Sequence, residues 1–193
     1  MARRPIKLGT DFSGLEAPTQ ALELLGLPHE LHFASESQAH LRTLIENMFF
    51  PKVAYADIAG RDVTSMPFVD LYVAGPPCQP WSRIGTREGL KDSRGRGALW
   101  FRPLTYIEEH KPTIVILENV IELGRPNSVE GQQMKQRLES SGYRLYISVA
   151  NTLCHGLPQN RPISYLVAIQ SHALLFDFDV PEPVGVKRSC GIC

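Results

Sequence analysis

The sequence predicts an α/β domain: a single open, mostly parallel twisted sheet of about seven strands with helices on both faces. Three observations carry this reading. Short β-branched or apolar runs alternate along the chain with helix-like segments. The helices fall between strands, which demands right-handed crossover connections and so sets parallel strands side by side. Finally, 193 residues with 43% hydrophobic and 21% charged side chains are the proportions of an ordinary globular domain, long enough to bury a core without disulfide or metal staples.

Strands are expected at Ile6–Phe12, Glu30–Ser35, Val53–Tyr55, Val69–Ala74, Thr113–Leu117, Arg144–Ala150 and Ser164–Ile169, each followed by turn residues or a helical stretch. The clearest helix runs from Gln38 to Met48, where Leu41, Leu44, Ile45 and Met48 recur at i, i+3, i+4 and i+7 and predict one buried stripe. Another runs from Pro18 to Leu25, with proline in its first turn and Gly26 as its stop. Trp100, Leu104 and Ile107 share one face of a third. From Phe178 the texture turns to Pro, Glu, Gly and charge, so residues 1–177 are expected to form the domain and 178–193 an extended tail.

No hydrophobic run approaches the roughly 20 apolar residues of a membrane span. The start, Met1 to Lys7, leads into polar Thr10-Asp11 rather than an apolar stretch, so no secretory leader is expected. An intracellular, cytoplasmic setting follows, with the nucleus also compatible. Twenty basic residues balance twenty acidic ones, so any nucleic-acid contact must be local. The four cysteines, Cys78, Cys154, Cys190 and Cys193, are too few and too unevenly spaced for a disulfide scaffold. The Cys190/Cys193 pair has metal-ligand spacing, but two ligands make no zinc site, so no metal is expected.

In sheets of this kind ligands sit beyond the carboxyl ends of the strands. After the first strand, Asp11-Phe12-Ser13-Gly14-Leu15-Glu16-Ala17 lets a ligand approach the backbone, although a glycine easing a strand-to-helix turn explains Gly14 equally well. Glu36, after the second strand, stands where a carboxylate accepts hydrogen bonds from a ribose; a helix-start charge is the simpler alternative. Asp57-Ile58 offers an acceptor beside an apolar wall, or merely a solvated turn aspartate. The fourth loop differs in kind. Gly75-Pro76-Pro77-Cys78-Gln79-Pro80 sets one cysteine among stiff prolines at a strand end, a poor core element and a good mount for an oriented thiol.

After the fully apolar Ile114-Val115-Ile116-Leu117 comes Glu118-Asn119-Val120. A carboxyl there is expected to be partly desolvated, with a raised pKa that lets it carry a proton at neutral pH; the alternative is a capping role for Asn119 with Glu118 a bystander. Residues Arg83 to Arg102 hold six basic side chains against Glu88 and Asp92, with four interspersed glycines. They suit a loop that closes over a polyanion, or an ordinary solvated surface.

The order of these elements resembles the catalytic domain of the cytosine-C5 DNA methyltransferases. Asp11-Phe12-Ser13-Gly14 is similar to the family's first motif, Glu36 to its second, Asp57-Ile58 to its third and Gly75-Pro76-Pro77-Cys78-Gln79 to its nucleophile loop. Asp92-Ser93-Arg94-Gly95 resembles the catalytic loop, Glu118-Asn119-Val120 the ENV motif and Gln159-Asn160-Arg161 the Gln-x-Arg motif.

The resemblance implies a Rossmann-like class I methyltransferase fold and S-adenosyl-L-methionine as cofactor. It implies that Cys78 attacks C6 of a cytosine, that Glu118 stabilises the ring at N3 and that Arg161 supports ring and nucleophile. Phe12, Ser13, Gly14, Leu15, Glu36, Asp57, Ile58, Gly75, Pro77 and Leu99 match cofactor-binding positions, Phe12 facing the adenine and Glu36 the ribose. The implied substrate is DNA, with its target cytosine swung into the pocket.

Two departures stand out. Ile163 replaces the second arginine of the Gln-x-Arg motif, and Glu16-Ala17 replace glycines of the first motif, which predicts a tighter cofactor loop. After Ile169 only 24 residues remain, where the family has a recognition domain and two further motifs. Three readings stay open: the catalytic part of a split enzyme whose second subunit recognises the target, an enzyme for a free cytosine nucleotide, or a noncatalytic partner that binds cofactor.

Overall fold

The computed structural model describes residues 4–78, 97–119, 128–179 and 181. Within them lie seven strands: β1 (Ile6–Asp11), β2 (His29–Ser35), β3 (Val53–Tyr55), β4 (Leu71–Ala74), β5 (Ile114–Asn119), β6 (Tyr143–Asn151) and β7 (Pro162–Gln170). They form one sheet in the order β3-β2-β1-β4-β5-β7-β6. The first five pair in parallel; β7 runs antiparallel to both β5 and β6. The mostly parallel sheet of seven strands is therefore as the sequence predicts, and each strand begins within two residues of its expected start.

Among the described residues four helices, α1 (Ala17–Leu24), α2 (Ala39–Phe49), α3 (Arg102–His110) and α4 (Val129–Ser140), cover the two faces. On one face Leu104, Tyr106 and Ile107 of α3 and Met134 and Leu138 of α4 pack on Tyr72, Val115, Leu117 and Ala168, with Trp100 beside them. On the other, Leu22 of α1 and Ile45 of α2 meet Leu8, Leu31 and Ala34. Full burial of each such side chain contributes about 1.5–3 kcal/mol.

The stripe predicted for α2 is corrected at one end. Ile45 is fully buried, but Met48 is 61% exposed, and Phe49 instead packs against the core. The helix α4 was not legible at all: in Val-Glu-Gly-Gln-Gln-Met-Lys-Gln-Arg-Leu-Glu-Ser only Met134 and Leu138 are buried, one turn apart. Ser128 caps it by accepting the Gly131 N–H at 3.0 Å.

Strand β2 carries a bulge. The pairing steps from Leu8↔Leu31 to Gly9↔Phe33, so His32 is the extra residue and the side-chain alternation inverts there. Leu31 thus faces one core and Phe33 the other. Gly9 lies under the Phe33 ring, where a Cβ would clash with the ring edge.

Glu16 ends the turn out of β1 in the left-handed conformation, φ 55°, that glycine adopts without strain. Its side chain folds under the loop, fully buried, and accepts hydrogen bonds from Thr10 Oγ1 at 2.8 Å and Thr19 Oγ1 at 2.9 Å. The departure from glycine therefore keeps glycine's backbone geometry and adds a buried carboxyl. Burial raises the Glu16 pKa, and the Thr10, Thr19 and Ser13 hydroxyls hold part of that rise back.

Two stability measurements follow. Gly9→Ala drives a methyl into the Phe33 ring and is expected to lose about 1–3 kcal/mol in urea unfolding. Glu16 binds its proton more tightly folded than unfolded, so that contribution is complete below the ordinary glutamate pKa and disappears as pH rises through the raised folded value. Glu16→Gln should therefore match the wild type in acid and melt higher than it at neutral pH, in thermal scans across both regimes.

Candidate active site

Strand β1 is the switch point of the sheet: its own connection leads to β2 on one side, while β4 lies on the other. The loops leaving β1, β2, β3 and β4 all emerge at the same edge. After β1, Phe12 and Gly14 take left-handed conformations, φ 57° and 55°, and a Cβ on Gly14 would meet only the Phe12 carbonyl at 4.0 Å. A left-handed non-glycine residue such as Phe12 is the kind of strain found at binding loops. Ser13 ties this turn to β2, its N–H donating to the Ser35 carbonyl at 3.0 Å.

Glu36, 8% exposed, joins the same loop. Its Oε2 accepts the Gly14 N–H at 3.0 Å and its Oε1 the Gln38 N–H at 2.8 Å. Glu36 therefore does more than start a helix: it holds the glycine of the first loop. A carboxylate has about four lone-pair positions, so acceptor capacity remains for the hydroxyls of a ribose. Asp57 is exposed, and its Oδ1 accepts the Ala59 N–H at 2.8 Å in a local turn; Ile58 beside it is half-buried. Leu15 is exposed at the tip of the first loop. Leu99 stands apart from these loops in sequence, half-buried on the 3-10 turn Ala98–Phe101 that precedes α3. The open Gly14 position, the left-handed Phe12 and the nearly buried Glu36 carboxyl fit the adenosine half of S-adenosylmethionine.

Under these loops lies an ion pair that the sequence did not reveal. Asp11, the last residue of β1, and Arg61, from the segment after β3, have side chains 0% and 2% exposed. The Arg61 guanidinium donates to both carboxylate oxygens of Asp11 and to Ser35 Oγ, the latter at 2.6 Å. Tyr72 of β4 donates its hydroxyl to Asp11 as well. The guanidinium also lies 5.6 Å from the ring centroids of Phe33 and Tyr55. The Asp11 hydrogen bonds and charge outweigh the opposing effect of burial and raise the Arg61 pKa. The only available signal was an acid as the last residue of a strand, which once buried needs a cation from somewhere.

The nucleophile loop leaves β4 beside β5, and the register runs Ala74↔Leu117. One residue further on, Gly75 meets Glu118 so closely that a Cβ there would stand 3.2 Å from Oε2. Next, Asn119 Nδ2 donates to the Pro76 carbonyl at 2.8 Å in a buried bond. The asparagine thus fastens the Pro76-Pro77-Cys78 segment. Cys78 and Pro77 are partly exposed, the thiol free. Glu118 is partly buried. Desolvation raises its pKa, the direction the sequence predicts, and the charge of Arg161 pulls it partway back.

Arg161 is exposed, its N–H donating to Asn151 Oδ1 at 3.2 Å. Thr152 Oγ1 bonds the Gln159 carbonyl at 2.5 Å, so the β6–β7 connection presents the arginine at the mouth of β7. Ile163 pairs with Ala150 inside the sheet. Gln79, residues 80–96 with most of the basic stretch, Val120, Cys190 and Cys193 lie outside the described residues. No helix among the described residues is long and apolar enough to cross a membrane.

Comparison with known proteins agrees with the motifs. The family model for C-5 cytosine-specific DNA methylase matches residues 10–188. The type II methyltransferase M.NlaX of Neisseria lactamica is 36% identical over 136 residues, covering 70% of this chain and 42% of that protein. M.NgoBI of Neisseria gonorrhoeae is 33% identical over 183 residues, covering 93% and 55%. Among solved structures, S. pombe Dnmt2 superposes with a TM-score of 0.66 at 19% identity over 92% of this chain and 52% of its own. The Entamoeba histolytica methyltransferase EhMeth does so at 0.69 and 17%, over 88% and 54%. These two show the fold, and the chain spans about half the length of the relatives it matches. The chain belongs to the C-5 cytosine-specific DNA methylase family.

Proposed function

We propose that these residues form the catalytic part of a cytosine-C5 methyltransferase that uses S-adenosyl-L-methionine to methylate DNA. The observation that carries this reading is the paired contact across β4 and β5. Gly75 against the Glu118 carboxyl, and Asn119 on the Pro76 carbonyl, hold a thiol-bearing loop and a half-buried acid at one strand edge.

Their chemistry is complementary. The Cys78 thiolate adds to C6 of the cytosine, and the electron pair displaced from the C5–C6 bond makes C5 nucleophilic. Glu118, whose proton is retained more strongly because of burial, donates to N3 and draws charge out of the ring as the carbon–sulfur bond forms. When bound, S-adenosylmethionine supplies an electrophilic methyl group. Once C5 is methylated, loss of its proton expels the cysteine and restores the aromatic ring. Arg161 limits how far the Glu118 pKa rises, which keeps the acid able to release its proton at the end of the cycle.

Relatives about twice this length carry polypeptide that these 193 residues do not match, and we assign target recognition to such a segment or to a second subunit. The basic stretch Arg83–Arg102 is assigned to the DNA backbone. An intracellular site of action goes with that substrate.

Tritium transfer from labelled S-adenosylmethionine to DNA, RNA and cytosine nucleotides tests the reading. Transfer to DNA is expected, Cys78→Ser should abolish it, and Glu118→Gln should slow it by about 10²–10⁴-fold. Full activity of Cys78→Ser would contradict the assignment, and transfer only to free nucleotides would redirect it.

A further inference from the structure

We infer that Arg61 and Asp11 are positioning residues for the cofactor, a buried strut that sets the four loops of the adenosine site relative to one another. The inference rests on the functional reading above and goes beyond it, because neither residue is among those assigned to touch cofactor or substrate.

The argument is topological. Arg61 contacts the final residue of three strands at once: Asp11 of β1, Ser35 of β2 and, through its ring, Tyr55 of β3. Asp11 in turn receives the hydroxyl of Tyr72 in β4. Each of those strands leads into a loop assigned to the cofactor: Phe12–Leu15 follows β1, Glu36 follows β2, Asp57-Ile58 follows β3, and Gly75 and Pro77 follow β4. Asp11 also accepts the Gly75 N–H on its main-chain carbonyl at 3.3 Å. Moreover, Arg61 lies on the Asp57-Ile58 segment itself, four residues past Asp57, so its anchorage sets where that short loop sits.

A purely structural role predicts something different. Buried ion pairs are commonly replaceable by apolar groups without loss of stability, whereas removing one partner strands the other charge. Arginine's planar fork is suited to binding both oxygens of one carboxylate and a third acceptor together, which a lysine cannot do. If the pair merely fills the core, an apolar set of similar volume serves as well. If it sets loop geometry, an apolar set restores folding and leaves the cofactor site loose.

The test compares the wild-type chain with Arg61→Lys and with the triple variant Asp11→Leu, Arg61→Met, Tyr72→Phe, which removes both charges and the hydroxyl that would lose its acceptor. Thermal unfolding is measured beside calorimetric affinity for S-adenosylmethionine, S-adenosylhomocysteine and adenosine. The expected result is a triple variant that melts near the wild type yet binds all three at least about tenfold more weakly. Loss by one common factor is expected, because the strut acts on the adenosine half, with Arg61→Lys intermediate. Should the triple variant fail to fold, Arg61→Lys decides: a folded lysine variant with undiminished affinity overturns the inference. So does a well-folded triple variant with wild-type affinity. A wild-type chain that binds none of the three ligands overturns the functional reading itself, and the inference with it.

Discussion

A carboxylate at the end of a central strand, fully removed from water, constrains the rest of this molecule. Asp11 could not be buried alone, since an unpaired charge in the interior is untenable. The fold answers with a guanidinium delivered from 50 residues away, which then reaches the ends of the neighbouring strands too. Stranding one partner of such a pair typically costs about 3–5 kcal/mol, a large share of the roughly 5–15 kcal/mol that holds a domain folded. Neither partner can therefore be lost singly, and the pair fixes the relative positions of the strand ends from which these loops leave the sheet.

The same edge shows how one sheet can serve two chemical needs. Toward β1–β3 the loops are polar and their backbone groups are occupied: Gly14 by Glu36, Ser13 by Ser35, Glu16 by the Ser13 carbonyl. Toward β4–β5 the environment is drier. Glu118 is desolvated enough for its pKa to rise, and Asn119 spends its amide on the chain before Cys78. On the proposed function, one half recognises a polar nucleoside and the other keeps a proton and orients a thiol. The boundary between them is the β1–β4 pairing, where parallel strands diverge into opposite crossovers.

Much of this was legible in the residues, for physical reasons. The continuous apolar run Ile114–Leu117 marks a strand of a sheet covered on both sides, with Val115 and Leu117 fully buried in it. The proline-flanked Cys78 and the acid after an apolar strand were legible because their chemistry is unusual for those positions. Other features were not. Helix α4 buries only two side chains, so its periodicity is nearly silent. Met48 was misplaced because the α2 pattern continues through it while Phe49, one residue on, is the side chain that packs on the core. Arg61, in a polar segment between Gly60 and Asp62, reads as a solvated charge. Its burial is a property of where β1, β2 and β3 end, which no local window contains. Glu16 was recognised as a departure, but its inward fold depends on Thr10 and Thr19 being within reach.

The central claim is that the sulfur of Cys78 and the carboxyl of Glu118 act on one pyrimidine ring in the presence of a methyl donor. Its most direct measurement is the mass of the denatured protein after incubation with S-adenosylmethionine and DNA containing 5-fluorocytosine, whose fluorine blocks the final proton loss and stalls the cysteine on C6. The account predicts a covalent protein–DNA adduct carrying one added methyl group, mapped to the peptide of Cys78. An adduct through another cysteine, or none from a protein shown to bind the cofactor and the DNA, would contradict it.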